Sequence, residues 1–248
     1  MLNTIRKKNR NALVIGPGGL GDHIWMSGAV RYIAKQYKET HLFTSETTLN
    51  TLQTLYNDVP SIKFVVIRKV DDELRNFITK TYSVYNTYSC AHTKDLTRSY
   101  IIDTNDLPGA FYDQLEVPRH VRHSHFVCPR LPESIALFEI VKNQPYIFVQ
   151  TKSSTTTTNI VSWDISQILT IDPNVNLYSS DHPWYQLAQI FVNQPFFHYV
   201  DLMKHATELH LVNSSFYTLA SQLSPLDARV KVCYDRYNGV IIPDYNFS

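Results

Sequence analysis

Cysteine is scarce in this chain. Cys90, Cys128 and Cys233 lie far apart and are odd in number, which argues against a disulfide framework and against a Cys-x-x-Cys metal site. A reducing compartment is the simplest reading, so a cytoplasmic protein is expected. Net charge is lacking too: 23 Lys and Arg stand against 22 Asp and Glu, so no overall field draws the chain to nucleic acid or a membrane surface. Any charged ligand must be held locally. No segment approaches the roughly 20 apolar residues of a membrane helix, and the opening "MLNTIRKKNRN" lacks the apolar stretch of a signal peptide. Its basic cluster, Arg6, Lys7, Lys8 and Arg10, reads as a solvated tail. There is no repeat at solenoid spacing, and the Ser/Thr run from Ser153 to Thr158 is the only low-complexity patch.

What is present suffices for folding. The 248 residues are 44% hydrophobic, enough for one substantial unit or two small domains that each bury a core. Leu13 to Ile15 form a short apolar run ending in glycines. A helical pattern follows, in which Ile24, Ala29, Val30 and Ile33 share a face. "THLFTS" reads as a strand, "ETTLNTLQTLY" as a helix and "IKFVVI" as a strand, the alternation of βαβ units around a parallel sheet. "YSVYNTYSC" and "SYIID" are further candidate strands, and "AFYDQLEV" a short helix closed by Pro118. After the helix "PRLPESIALFEIVKNQ" a second cycle begins with the strand "PYIFVQ". It continues through "VSWDISQIL" as helix, "NVNLYSS" as strand, "HPWYQLAQIFV" as helix, "TELHLV" as strand, "SSFYTLASQL" as helix and "ARVKVCY" as strand. The expected division is a first domain over 1–130, a linker helix over 131–145 and a second domain over 146–248.

Gly16, Gly18 and Gly21 satisfy G-x-G-x-x-G between a strand and a helix, the context of a dinucleotide fingerprint. One reading is therefore an NAD(P)-binding oxidoreductase. Asp22 disputes it, because a carboxylate in the first helical turn competes with a phosphate for the same positive dipole. The ribose-binding acid expected about 20 residues on could only be Glu46, which comes late. Either Asp22 caps the helix, or it takes a proton from a substrate hydroxyl brought close by the glycine loop.

In the second half, Asn213, Ser214 and Ser215 follow a strand and open a helix, where hydroxyls and free N–H groups can meet an anion or serve as the helix's own cap. Gln150, Lys152 and Ser153 end another strand of the same half, so the two loops are expected to converge at one sheet edge. Asp181 and His182 follow "NVNLY" and could face a ribose or base, or Asp181 could start the next helix with Pro183 in its first turn. His120, His123 and His125 cluster, but no Cys or carboxylate spacing completes a metal site, so none is assigned. Arg119 and Arg122 beside them could contact an acceptor or a diphosphate by forked hydrogen bonds. Trp25 and Trp184 lie near the loops and could stack on a sugar, although most aromatics pack cores.

"GPGGLGDHIWMSGAVRYI" resembles the N-terminal motif of GT-B glycosyltransferases related to bacterial heptosyltransferases (family 9), in which Leu-Gly-Asp precedes the first helix; Leu20, Gly21 and Asp22 match it. "FYDQLEVPRHVRHSHFVCPR" resembles the segment that closes the family's first domain, and "LHLVNSSFYTLASQL" its donor-phosphate loop. Members from large DNA viruses, including rhamnosyltransferases, are closest in look.

The resemblance implies an α/β fold of two Rossmann-like domains facing across a cleft, in a small version. It implies inverting, metal-independent transfer of a sugar, for which L-rhamnose is the guess, from a nucleotide diphosphate sugar to a glycan, with Asp22 as general base. Gly18, Gly19, His23 and Trp25 would meet the acceptor. Gln150, Lys152, Ser153, Asp181, His182, Asn213, Ser214 and Ser215 would meet the donor, UDP- being favoured over GDP- or TDP-. No cofactor is expected, and a viral member would act in the host cytoplasm. Asn213-Ser214-Ser215 departs from the family's Asp-Ser-Gly-x-x-His pattern, so the sugar need not be a heptose. The length implies a trimmed member or a piece of a longer polypeptide. A non-catalytic sugar-nucleotide-binding module is the remaining alternative.

Overall fold

The computed structural model describes residues 11–16, 19–66, 83–86 and 106–242. The candidate strand "SYIID", Cys90 and the basic cluster at the start lie outside them. The chain divides into two compact units, residues 1–129 and 130–248.

The first unit holds a parallel sheet of four strands, β1 (Asn11–Ile15), β2 (Glu39–Thr44), β3 (Ile62–Val66) and β4 (Ser83–Asn86), in the order β3-β2-β1-β4. Its helices are α1 (Leu20–Ala34), α2 (Glu46–Leu55), α3 (Leu107–Gln114) and the single turn α4 (Val121–Ser124). Of the 15 residues of α1, 11 are buried, because the helix packs on β1 and β2 and also meets α3 and α4. A helix apolar on more than one side is a core element rather than a surface one. Gly28 permits the closest approach: a Cβ there would lie 2.5 Å from the Val121 carbonyl oxygen and 2.9 Å from that of Arg122. The one charge buried in α1, Arg31, donates to both carboxylate oxygens of Asp58 (2.8 and 2.9 Å) and to the Leu55 carbonyl (2.7 Å), which compensates its desolvation. That guanidinium in turn holds the Asp58 carboxyl below the usual range.

The second unit repeats the plan with β5 (Tyr146–Gln150), β6 (Leu169–Ile171), β7 (Glu208–Val212) and β8 (Val230–Tyr234), all parallel, in the order β6-β5-β7-β8. All five residues of β5 are buried, as expected of a central parallel strand covered on both faces. The helices are α5 (Pro132–Glu139), α6 (Tyr185–Gln189), α7 (Val200–His205) and α8 (Ser215–Ala220), with a 3₁₀ turn at Phe196–Tyr199. The helix expected as a linker is α5; it packs on α7 and the 3₁₀ turn and belongs to this unit. Phe148 of β5 meets Tyr199 and Phe216 at ring distances of 5.9 and 5.8 Å, the aromatic centre of the core.

Two segments depart from the sequence expectation. "VSWDISQIL" forms no helix; Asp164 accepts from the N–H and the hydroxyl of Ser166 and turns the chain, and the strand is the buried triplet Leu169–Ile171. "NVNLYSS" is not a strand, because Asn176 accepts the N–H of Tyr178 and donates to the Tyr185 carbonyl. Such side-chain bonds compete with a ladder for the backbone. No helix among the described residues is long and apolar enough to cross a membrane.

Candidate functional site

In open parallel sheets, ligands bind beyond the carboxyl ends of the strands, where the chain has run one way across the sheet and then returns to the other side. The first unit reverses between β1 and β4, and the second between β5 and β7. The sequence-nominated loops leave the carboxyl ends of β1, β5 and β7, so each unit has its candidate loops at its own reversal.

In the first unit, α1 begins after Gly19, which occupies the cap position, so Asp22 is the third helical residue and not the cap. A Cβ on Gly19 would lie 2.8 Å from Asp22 Oδ2, so the half-buried carboxylate leans back over the glycine backbone. The helix dipole favours a negative charge there. Gly18 lies outside the described residues. Gly16 is close to α1: an added Cβ would meet Met26 Cε at 3.0 Å and His23 Cε1 at 3.4 Å.

His23 and Trp25 correct the expectation that they present themselves to an acceptor. His23 is fully buried beneath the loop, and neither ring nitrogen finds a partner among the described residues. Burial pushes its pKa down to about 4, so the ring is neutral. Trp25 is buried as well and its ring packs towards Phe111 at 6.5 Å, while Tyr112 donates to its carbonyl. Arg119 is likewise engaged: it pairs with Asp106, the residue that caps α3, at 2.8 Å and grips Asp113 with two nitrogens. Its hydrogen bonds, helped by its charge, hold the Asp113 carboxyl below the usual range.

In the second unit the reversal is spanned by a direct bond. Ser214 precedes α8 without capping it; its hydroxyl donates instead to Gln150 Oε1 at 2.8 Å. Gln150 Nε2 then donates to the Lys152 carbonyl at 2.7 Å. Lys152 is exposed, while Ser153 is buried and accepts the N–H of Thr156 at 3.0 Å. The supposed low-complexity run folds back on itself. Lys152 bridges Thr157, and Thr156 and Thr158 both donate to the Arg236 carbonyl at 2.7 Å. Asn213 pairs through its N–H with the Tyr234 carbonyl at 2.8 Å, and Ser215 opens α8.

Asp172, which the sequence did not nominate, lies just beyond β6 and is 3% exposed. Its Oδ2 accepts from the N–H and the hydroxyl of Thr151 at 2.9 and 2.5 Å, and its Oδ1 from the N–H of Asn174 at 2.7 Å. Burial pushes its carboxyl upward and these donors oppose that. The readable signal was Asp-Pro-Asn after Leu-Thr-Ile, a strand end with turn chemistry. Asp181 and His182 belong to a different cluster: His182 stacks on Tyr178 at 4.5 Å and accepts the N–H of Trp184. Asp181 is exposed, with a hydrogen bond from Ser179 holding its carboxyl low. α6 starts only at Tyr185, so Asp181 neither follows a strand nor begins the helix. Among the described residues no three His, Cys, Asp or Glu side chains gather as a metal-holding group.

No protein-family model matches the chain, and no curated protein matches it. Solved structures do. The iron-containing dodecameric heptosyltransferase TibC, in complex with ADP-D-β-D-heptose, aligns at a TM-score of 0.53 and 16% identity over 92% of this chain and 59% of its own. TibC from enterotoxigenic E. coli H10407 aligns at 0.50 and 18% over the same shares. The glycosyl transferase family 9 protein of Veillonella parvula aligns at 0.52 and 12%, over 92% of this chain and 87% of its own. The chain thus spans about three-fifths of the length of TibC. The likeness shows the fold, α/β with parallel sheets of the GT-B kind. Iron, heptose and the dodecamer are properties of TibC.

Proposed function

We propose that this protein is a glycosyltransferase that moves a sugar from a nucleoside diphosphate donor to a glycan hydroxyl, with Asp22 as general base. The observation that carries the reading is the Asp22 carboxylate, leaning over Gly19 at the carboxyl end of β1 where the first sheet reverses. The GT-B fold and the Leu-Gly-Asp resemblance support it.

In this scheme the acceptor approaches the glycine backbone and gives its hydroxyl proton to Asp22. A positioned base of this kind contributes roughly 10²–10⁴-fold. The acceptor oxygen forms a bond to the anomeric carbon while the bond from that carbon to the diphosphate oxygen breaks. Attack opposite the leaving group inverts the configuration. Charge grows on the departing diphosphate, and donors poised for it stabilise the transition state. The Lys152 ammonium and the Ser215 hydroxyl supply those donors, joined by the Ser214 hydroxyl when it turns from Gln150 Oε1 to the diphosphate, so the scheme runs without a metal. UDP leads the donor nucleotides, and L-rhamnose heads the sugars to be tried.

A thermal-shift titration with UDP, GDP, TDP, ADP, NAD and NADP, with and without EDTA, tests this, because a ligand selective for the native state raises its apparent stability. A selective shift with UDP, GDP or TDP that survives EDTA is expected. A shift with NAD or NADP alone would overturn the reading in favour of a dinucleotide fingerprint.

A further inference from the structure

Asp172 is chemically expensive where it stands. A buried carboxylate is costly unless its oxygens are satisfied, and at 3% exposure this one accepts from Thr151 beyond β5 and from Asn174 in its own loop. The β5–β6 ladder ends at the pair Phe148 and Ile171, and the next position but one is Pro173, which has no N–H to continue it. Asp172 extends the junction by side chain instead. One oxygen holds the backbone of Thr151 and the other that of Asn174.

The consequence falls on Lys152. The residue before it, Thr151, is gripped by Asp172 through its N–H and hydroxyl. The Lys152 carbonyl is held by Gln150 Nε2 at 2.7 Å and approached by Asn174 Nδ2 at 3.5 Å. Gln150 is in turn held by Ser214. The chain of bonds Asn174–Asp172–Thr151, then Lys152–Gln150–Ser214, therefore crosses the carboxyl ends of β6, β5 and β7, with the exposed ammonium of Lys152 carried in its middle.

We infer that Asp172 is a positioning residue for a diphosphate, setting the backbone from which Lys152 projects and thereby its distance to Ser214; this rests on the glycosyltransferase reading above. The chemistry makes Asp172→Asn a sharp probe. Both carboxylate oxygens accept a backbone N–H, so whichever way an amide is turned, its NH₂ meets a donor.

The test is a double-mutant cycle, read by isothermal titration with whichever of UDP, GDP and TDP binds the wild type most tightly. Asp172→Asn and Lys152→Ala are each expected to raise Kd about tenfold, the scale of one charge-assisted contact. Since Asp172 acts through residue 152, the double variant should also lose only about tenfold, whereas independent sites would multiply to about a hundredfold. A multiplicative loss, or an unchanged Kd in Asp172→Asn, would overturn the inference while leaving the donor site in place. Should Asp172→Asn fail to fold, Thr151→Val replaces it in the cycle: it keeps the carboxylate, removes one donor, and is expected to raise Kd a few-fold, with Thr151→Ser restoring wild-type binding. Wild-type protein that binds none of the three nucleotides would overturn the glycosyltransferase reading and this inference with it.

Discussion

The two units solve the same topological problem with opposite materials. At the reversal of the first sheet one carboxylate rides on a 15-residue helix whose body is almost entirely buried. At the reversal of the second, hydroxyls, amides and one exposed ammonium are woven together by loop bonds, and the helix beyond has only 6 residues. A single proton acceptor needs one well-placed atom, which a helix seated in a core supplies. An anion with many oxygens needs several donors at once, which loops from neighbouring strands supply more readily than a helix can.

The comparison breaks hardest at Asp22. Asp22→Asn should leave the melting temperature close to wild type while turnover falls at least about a hundredfold; steady-state rates within tenfold of wild type would put the proton acceptor elsewhere. Next comes the dry core beneath it. His23 takes no proton in the folded state until about pH 4, whereas the unfolded chain takes one near 6.5, so stability is retained above pH 6.5 and falls as pH drops through that window. The loss amounts to about 3 kcal/mol, and His23→Leu should remove that part of the slope in urea titrations run from pH 7 to 4. A slope equal to that of wild type would mean the imidazole is hydrated.

Gly28→Ala sharpens the claim that Asp22 is positioned by packing. The added carbon would clash with two backbone carbonyl oxygens, at a cost of about 1–3 kcal/mol, visible as a lower melting temperature. The smallest effect is expected in the second unit. Ser214→Ala strands Gln150 Oε1 and should cost about 1 kcal/mol of urea stability, along with weaker nucleoside diphosphate binding; an unchanged binding isotherm would detach Ser214 from the donor site.

The strands were the most legible part of the sequence, because a parallel strand covered on both faces appears as a continuous apolar run, as in "YIFV" of β5. "NVNLY" carried a similar mixture of apolar residues and failed, since asparagine side chains claimed the backbone that a ladder would have used. Asp22 was readable from its place after the glycines. The burial of His23 and Trp25 was not, because a one-face helical pattern cannot reveal that α1 is packed on several sides. Asp172 was missed for a complementary reason: an acid followed by proline looks like an exposed turn, and the sequence cannot show that one oxygen is taken by Thr151 at the end of the neighbouring strand while Asn174 takes the other.

The threonine run carries a lesson about length. Thr156 and Thr158 point to one carbonyl, that of Arg236, while Thr155 and Thr157, which alternate with them, are exposed. Alternation of this kind tolerates exchange of one hydroxyl residue for another far better than it tolerates a residue gained or lost. A one-residue slip would turn the exposed pair inward and part Lys152 from Thr157 across the turn. Four identical residues in a row are thus four different positions, and the count matters more than the composition.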